Sequence, residues 1–173
     1  MSNIIYRQNL FLLFILTVIF IVAYAVLNVI LNNSKIFRAI GFVGAGISLF
    51  SILNLTIFNR QVANYDVELS PFYSLVLAKT RPEYYRVVFM NSLLYVPFGT
   101  FLPYLLSSKY KKSNLIITVL LSLAISIIIE SLQYFYSIGL CETDDVIFNT
   151  FGAFVGTFGY LLFGYLIKKF NSK

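Results

Sequence analysis

The 173-residue chain has no histidine, no tryptophan and a single cysteine, Cys141. Without imidazole, histidine-ligated metal sites and Ser-His or Cys-His nucleophile pairs are excluded. One cysteine excludes an internal disulfide. Any aromatic belt at a membrane interface must come from the 13 tyrosines and 18 phenylalanines. Charge is scarce as well, at 12% of residues against about 25% in soluble domains. No stretch is polar and long enough to fold as a water-soluble module of its own.

Apolar sequence fills the place of what is missing. The chain is 59% hydrophobic with mean hydropathy +0.83, and its apolar runs approach the ~20 residues that cross a bilayer core as a helix. The expected fold is all-α: a polytopic membrane protein of about five transmembrane helices, forming one domain over residues 1–173. The spans read as Leu10–Leu31, Ile40–Phe58, Val87–Leu106, Leu115–Phe135 and Val146–Ile167. Ala23-Tyr24-Ala25 resembles a small-x-small cleavage site, but the apolar run continues past it, and an uncleaved first helix is the simpler reading. In the connection from Asn59 to Tyr85, the run LSPFYSLVLAKT is apolar enough to lie at an interface and too short to span. A short interfacial or re-entrant helix opening at Pro71-Phe72 is expected there, with an ordinary loop as the alternative.

Several spans carry internal punctuation. Gly41, Gly44 and Ser48 share one face of the second, and Asn149, Gly152, Gly156 and Gly159 make a stripe along the fifth; both permit close helix packing. Pro97, Gly99 and Pro103 interrupt the backbone ladder of the third, which predicts a bend or unwinding near mid-membrane.

Orientation follows from loop charge. The first and third loops and the C-terminal tail hold eight basic residues and no acidic ones; the opposite set holds five basic and all seven acidic residues. The positive-inside rule puts the first set, with the C-terminus, in the cytoplasm, and the N-terminus outside.

On the outer side the polar residues then fall at one depth. At 1.5 Å per residue, Asn91 lies about 6 Å, Glu130 about 8 Å and Asn149 about 5 Å inside their helix ends. Ser122, Ser126, Glu130 and Gln133 recur on one helical face. A carboxylate within SLAISIIIESLQYF costs roughly 2.5–3.5 kcal/mol to insert, so it faces the bundle interior and marks a candidate site. Asn91, Glu130, Gln133 and Asn149 make a shallow polar layer, with Asp144 and Asp145 at its rim and Arg86 as the nearest cation. The blander alternative pairs Glu130 with Arg86 as a structural lock and leaves the aspartates as a helix cap.

The run N-x5-P-F-G-x3-P from Asn91 to Pro103, then E-x2-Q at Glu130 and Gln133, then D-D-V-I-F-N-T-x-G-x3-G from Asp144 to Gly156 resembles the VanZ-like family of bacterial membrane proteins. The Pro71-Phe72 pair fits the same pattern, and the resemblance covers about residues 71–164. The family often has an arginine ahead of the acidic turn, where this chain has Gly139 or Leu140; its usual aspartate before the D-D step is Glu142. The resemblance implies a link to low-level resistance to glycopeptide antibiotics, teicoplanin in particular, in Gram-positive bacteria. It implies no cofactor, and no metal ligands are assigned.

The leading expectation is an outward-facing layer that binds a lipid headgroup or a lipid-linked cell-wall precursor in the bacterial cell membrane. Membrane lipids or such a precursor are the expected partners, and nucleic acid is not. The ligand-binding candidates are Arg86, Asn91, Glu130, Gln133, Asp144, Asp145 and Asn149. The alternatives are a membrane-embedded enzyme using Glu130 and Asp145 as acid and base, and a structural or assembly subunit. The balance leans against an enzyme because no nucleophile stands out.

Overall fold

The computed structural model describes residues 34–60, 67–106 and 111–171. The first expected span, its Ala23-Tyr24-Ala25 motif and Lys109 lie outside the described residues. Four long helices are described: α1 (Ser34–Leu53), α3 (Glu83–Leu105), α4 (Lys111–Tyr136) and α5 (Thr143–Asn171). The short helix α2 (Tyr73–Ala78) precedes α3, in the place where an interfacial element is expected. Two two-residue strands, β1 (Val67–Glu68) and β2 (Cys141–Glu142), pair in parallel, with Val67 opposite Cys141 and Glu68 opposite Glu142. Four segments, Arg38–Phe58, Glu83–Leu105, Ser113–Tyr136 and Thr143–Leu166, are long and apolar enough to cross a membrane.

The burial pattern is inverted relative to a water-soluble protein. Phe42, Phe50, Phe135 and Phe158 are more than half exposed, whereas Thr118, Ser122, Ser126, Gln133 and Thr157 are fully buried. Lipid-facing phenylalanines around a polar seam fit hydrocarbon as the solvent. The apolar core is small: its main cluster is Ile52, Tyr95, Phe98, Leu102, Ile129 and Ala153, and Ala45 with Phe101 form a second. In the packing order, α3 lies between α1 and α5, and α5 lies between α3 and α4. α4 also touches the end of α1.

The α3–α5 crossing is a contact of backbone on backbone. A Cβ on Gly152 would strike the Ser92 carbonyl, one on Gly156 the Val96 carbonyl, and one on Gly99 the Ala153 backbone. The expected stripe is therefore real at Gly152 and Gly156. It does not extend to Gly159, which is exposed and meets open space. The small face of α1 packs on α3, with Gly44 against the Phe101 ring and Gly41 against Tyr104.

The unwinding expected of α3 does not occur, and the helix runs unbroken through Pro97 and Pro103. The reason at Pro103 is local. Proline has no N–H to give the carbonyl four residues back, which belongs to Gly99. The Thr157 hydroxyl of α5 donates to that carbonyl instead, at 2.9 Å, and to Ala153 O at 2.8 Å. The far end of α3 is closed by Asn114 of α4, whose buried side-chain amide donates to Leu106 O at 3.1 Å.

At the other end α1 widens into a π turn over Asn54–Phe58, where the Asn59 N–H donates to Asn54 O at 2.9 Å. Such turns often accompany functional sites. Here the turn presents the Thr56 carbonyl to α4, and Gln133 Nε2 donates to it at 2.9 Å.

Candidate functional site

The C-terminal ends of α1 and α4 and the N-terminal ends of α3 and α5 meet at one end of the bundle, beside β1, β2 and α2. This end collects the carboxylates. Asp145, in the first turn of α5, accepts a hydrogen bond from the Asn91 side chain of α3. Glu130 Oε2 accepts from the Glu142 N–H of β2 at 3.0 Å. Asn149 Nδ2 donates to Ser126 Oγ at 2.9 Å, tying α5 to α4. Glu130, Gln133, Asp144, Asp145 and Asn149 are all less than a tenth exposed.

Asp144 has a different task from its neighbour. Its Oδ1 accepts from the Phe72 N–H at 2.5 Å and its Oδ2 from the Ser74 N–H at 2.6 Å. Both oxygens are thus committed to the start of α2. Asp144 and Asp145 stand in the first turn of α5, where the cap alternative places them, but Asp144 holds α2 and Asp145 holds Asn91. Asp144 also accounts for a strained residue. Phe72 has φ +63° and ψ +18°, a left-handed conformation uncommon for a bulky residue. The carboxylate bond to its N–H and the edge-on contact of its ring with Phe148, 6.4 Å between centroids, hold it there.

The cation of the group is Arg60 rather than Arg86. Among the described residues, Arg60 is the positive charge that acts on Glu130, Glu142 and Asp145. Arg86 is exposed on α3 and is not brought to them. The Arg60 Nη1 atom lies 3.0 Å from where a Cβ of Gly139 would stand, and Gln133 Cδ lies 3.7 Å from the same point. A guanidinium therefore reaches the chain just ahead of the acidic turn, supplied from residue 60.

Three buried side chains in this region have hydrogen-bonding capacity to spare. Gln133 Oε1 and Asn149 Oδ1 make no hydrogen bond, although both side chains are buried, and the buried Tyr95 hydroxyl has only Ser126 beside it. Tyr95 lies beside Ser126 and within the field of Glu130 and Asp145. Native proteins rarely bury polar atoms unpaired, so such atoms call for an explanation. Sequence reasoning missed Tyr95, Ser126 as a partner, and Arg60. Tyr95 had a usable signal, since it lies four residues after Asn91 and so shares its helical face.

The carboxylates act on one another at the rim. Burial, and then the charges of Asp145 and Asp144, push Glu142 up to about 7; Arg60 opposes and Glu68 adds to the rise. Burial and the same negative surroundings raise the Cys141 thiol, so it is a poor thiolate. Glu68, across the strand pair, is held below the ordinary carboxylate value by its bonds to Ser70. The folded protein thus holds the Glu142 proton more tightly than the unfolded chain does. That contribution to stability is complete below about pH 4.5 and is lost as pH rises toward about 7. The melting temperature in detergent is expected to fall across this window, and Glu142→Gln to make the fall shallower. Identical slopes for the two proteins would contradict the assignment.

Helices that bury serine and glutamine and expose phenylalanine, closed at one end by a carboxylate layer, define a polytopic helical membrane protein with a polar site at a membrane face. Residues 10–164 match the VanZ/LLP1 family, and the chain belongs to it. Protein VanZ of Enterococcus faecium is 29% identical over 133 residues, covering 72% of this chain and 74% of that protein. No solved structure matches the chain.

Proposed function

We propose that this protein binds the headgroup of a membrane lipid or of a lipid-linked cell-envelope precursor at the outer face of the bacterial cell membrane. By occupying or withdrawing that molecule it lowers the access of glycopeptides such as teicoplanin. One observation carries the reading. Gln133 of α4 and Asn149 of α5 bring unspent carbonyl oxygens to the region of Glu130 and Asp145, where the Tyr95 hydroxyl of α3 lies beside Ser126. Leaving such an atom buried and unpaired costs about 1–3 kcal/mol, a cost that a donor on a bound headgroup would relieve. Family membership and the similarity to Protein VanZ support a role at the cell envelope.

Glu130→Gln tests the reading, since it keeps shape and the acceptor for the Glu142 N–H but removes the charge. The variant is expected to fold, to retain less co-purified lipid than wild type, and to lose any tolerance of teicoplanin that wild type confers. An unchanged lipid complement together with unchanged tolerance would sink the proposal.

The outward orientation rests on loop charge and has its own test. In a Cys141→Ser background, a cysteine at Ser137 is expected to react with a membrane-impermeant thiol reagent in intact cells, and one at Lys169 only after lysis. The opposite pattern would place the polar layer at the cytoplasmic face.

A further inference from the structure

We propose that the group received by this layer is a primary ammonium; the assignment rests on the binding role argued above and names the chemistry of its ligand. The first ground is the kind of hydrogen-bonding capacity left over. Gln133 Nε2 donates to the Thr56 carbonyl, which can only accept, so the orientation of the amide is fixed and Oε1 is the free atom. Glu130 and Asp145 are acceptors when ionised, and Asp144 is fully used. The buried oxygens left over, Gln133 Oε1 and Asn149 Oδ1, are acceptors, and with ionised carboxylates beside them the layer suits a donor.

The second ground is charge. Glu68, Glu130, Glu142, Asp144 and Asp145 stand at this end of the bundle, and among the described residues Arg60 is the cation acting on Glu130, Glu142 and Asp145. Buried carboxylates that lack a counter-charge are costly, and a bound cation relieves that cost. The third ground is geometry. Among the described residues no three carboxylate or thiol groups stand close enough to hold a metal ion. An ammonium needs only three acceptors, and here they can come from separate helices. Arg60, beside Gly139 and Gln133, fits an anionic group on the same ligand, such as a phosphate. A zwitterionic amino-phosphate headgroup satisfies both halves.

The test uses the full chain in detergent and native mass spectrometry with three lipids. Phosphatidylethanolamine offers ammonium N–H donors, phosphatidylcholine offers the positive charge without them, and phosphatidylglycerol offers neither. Phosphatidylethanolamine is expected to bind at least about tenfold more tightly than either of the others, because among the three it alone donates charge-assisted hydrogen bonds. Glu130→Gln and Asp145→Asn, which keep the acceptors for Glu142 and Asn91, are each expected to erase that preference; two variants guard against one failing to fold. Competition by soluble ethanolamine would support the ammonium and show that the lipid tails are not required. Equal binding of phosphatidylcholine, or preference for phosphatidylglycerol that Glu130→Gln abolishes, would overturn the ammonium assignment while leaving a headgroup site standing. Binding of all three lipids at one level, unaffected by either variant, would overturn both.

Discussion

Gly152→Leu and Gly156→Leu should each prevent the bundle from forming rather than loosen it. Overpacking a protein core ordinarily costs about 1–3 kcal/mol, because neighbouring side chains can change rotamer. That escape is closed here. The atoms that a side chain would meet at Gly152 are the carbonyl and Cα of Ser92, and at Gly156 they are Val96 O and Thr100 N. Relief requires moving α3 away from α5, which also parts Thr157 from Gly99 O. The expected loss exceeds that ordinary range of about 1–3 kcal/mol, with little folded protein recovered in detergent. Gly159→Leu is the control: its added side chain enters open space, and its melting temperature should match wild type. Normal yield and melting of the Gly152 and Gly156 variants would mean that the helices do not cross in this way.

The second large effect is expected at Asp144. Asp144→Ala leaves the Phe72 and Ser74 amides without their acceptors, and bonds to a charged group contribute about 1.5–3 kcal/mol each. Asp144→Asn should do nearly as much damage, since one of its two atoms becomes a donor facing a donor. In both variants amide exchange at Ser74 should accelerate by at least about tenfold, the factor corresponding to 1.4 kcal/mol. Asp145→Asn, one residue away, should leave that exchange unchanged, because Asp145 serves Asn91 instead. Equal protection at Ser74 in wild type and Asp144→Asn would remove the carboxylate from its place at α2.

The contrast between these two aspartates shows where the sequence stops being legible. Their position at the start of a helix was plain, and so was the depth shared by Asn91, Glu130 and Asn149, because helical rise converts residue number into depth. The four described spans also lie where apolar runs place them, within a few residues. Partners were not legible. Asp144 reaches a segment 70 and 72 residues earlier in the chain, and no periodicity carries information over that distance. Arg86 was chosen as the cation because it stands near Asn91 in sequence. Arg60 instead arrives from the end of α1, whose π turn has no sequence signature. Tyr95 shares the helical face of Asn91, four residues on, but in an apolar span full of aromatics that face alone does not show its hydroxyl to be buried. The unwinding expected at the prolines is averted for a related cause: the donor that repairs the Pro103 gap is on another helix.

That repair has a consequence for how the protein is made. A helix entering the bilayer from the ribosome must satisfy its own carbonyls or leave them bare in hydrocarbon. The Gly99 carbonyl has lost its usual donor within α3, and the hydroxyl that takes its place is that of Thr157, synthesised 58 residues later. The start of α2 likewise waits for Asp144. Two early elements are thus completed by the first half of α5. A chain interrupted before Thr157 would carry an open carbonyl in the membrane and a short helix with no anchor. The arrival of α5 closes both.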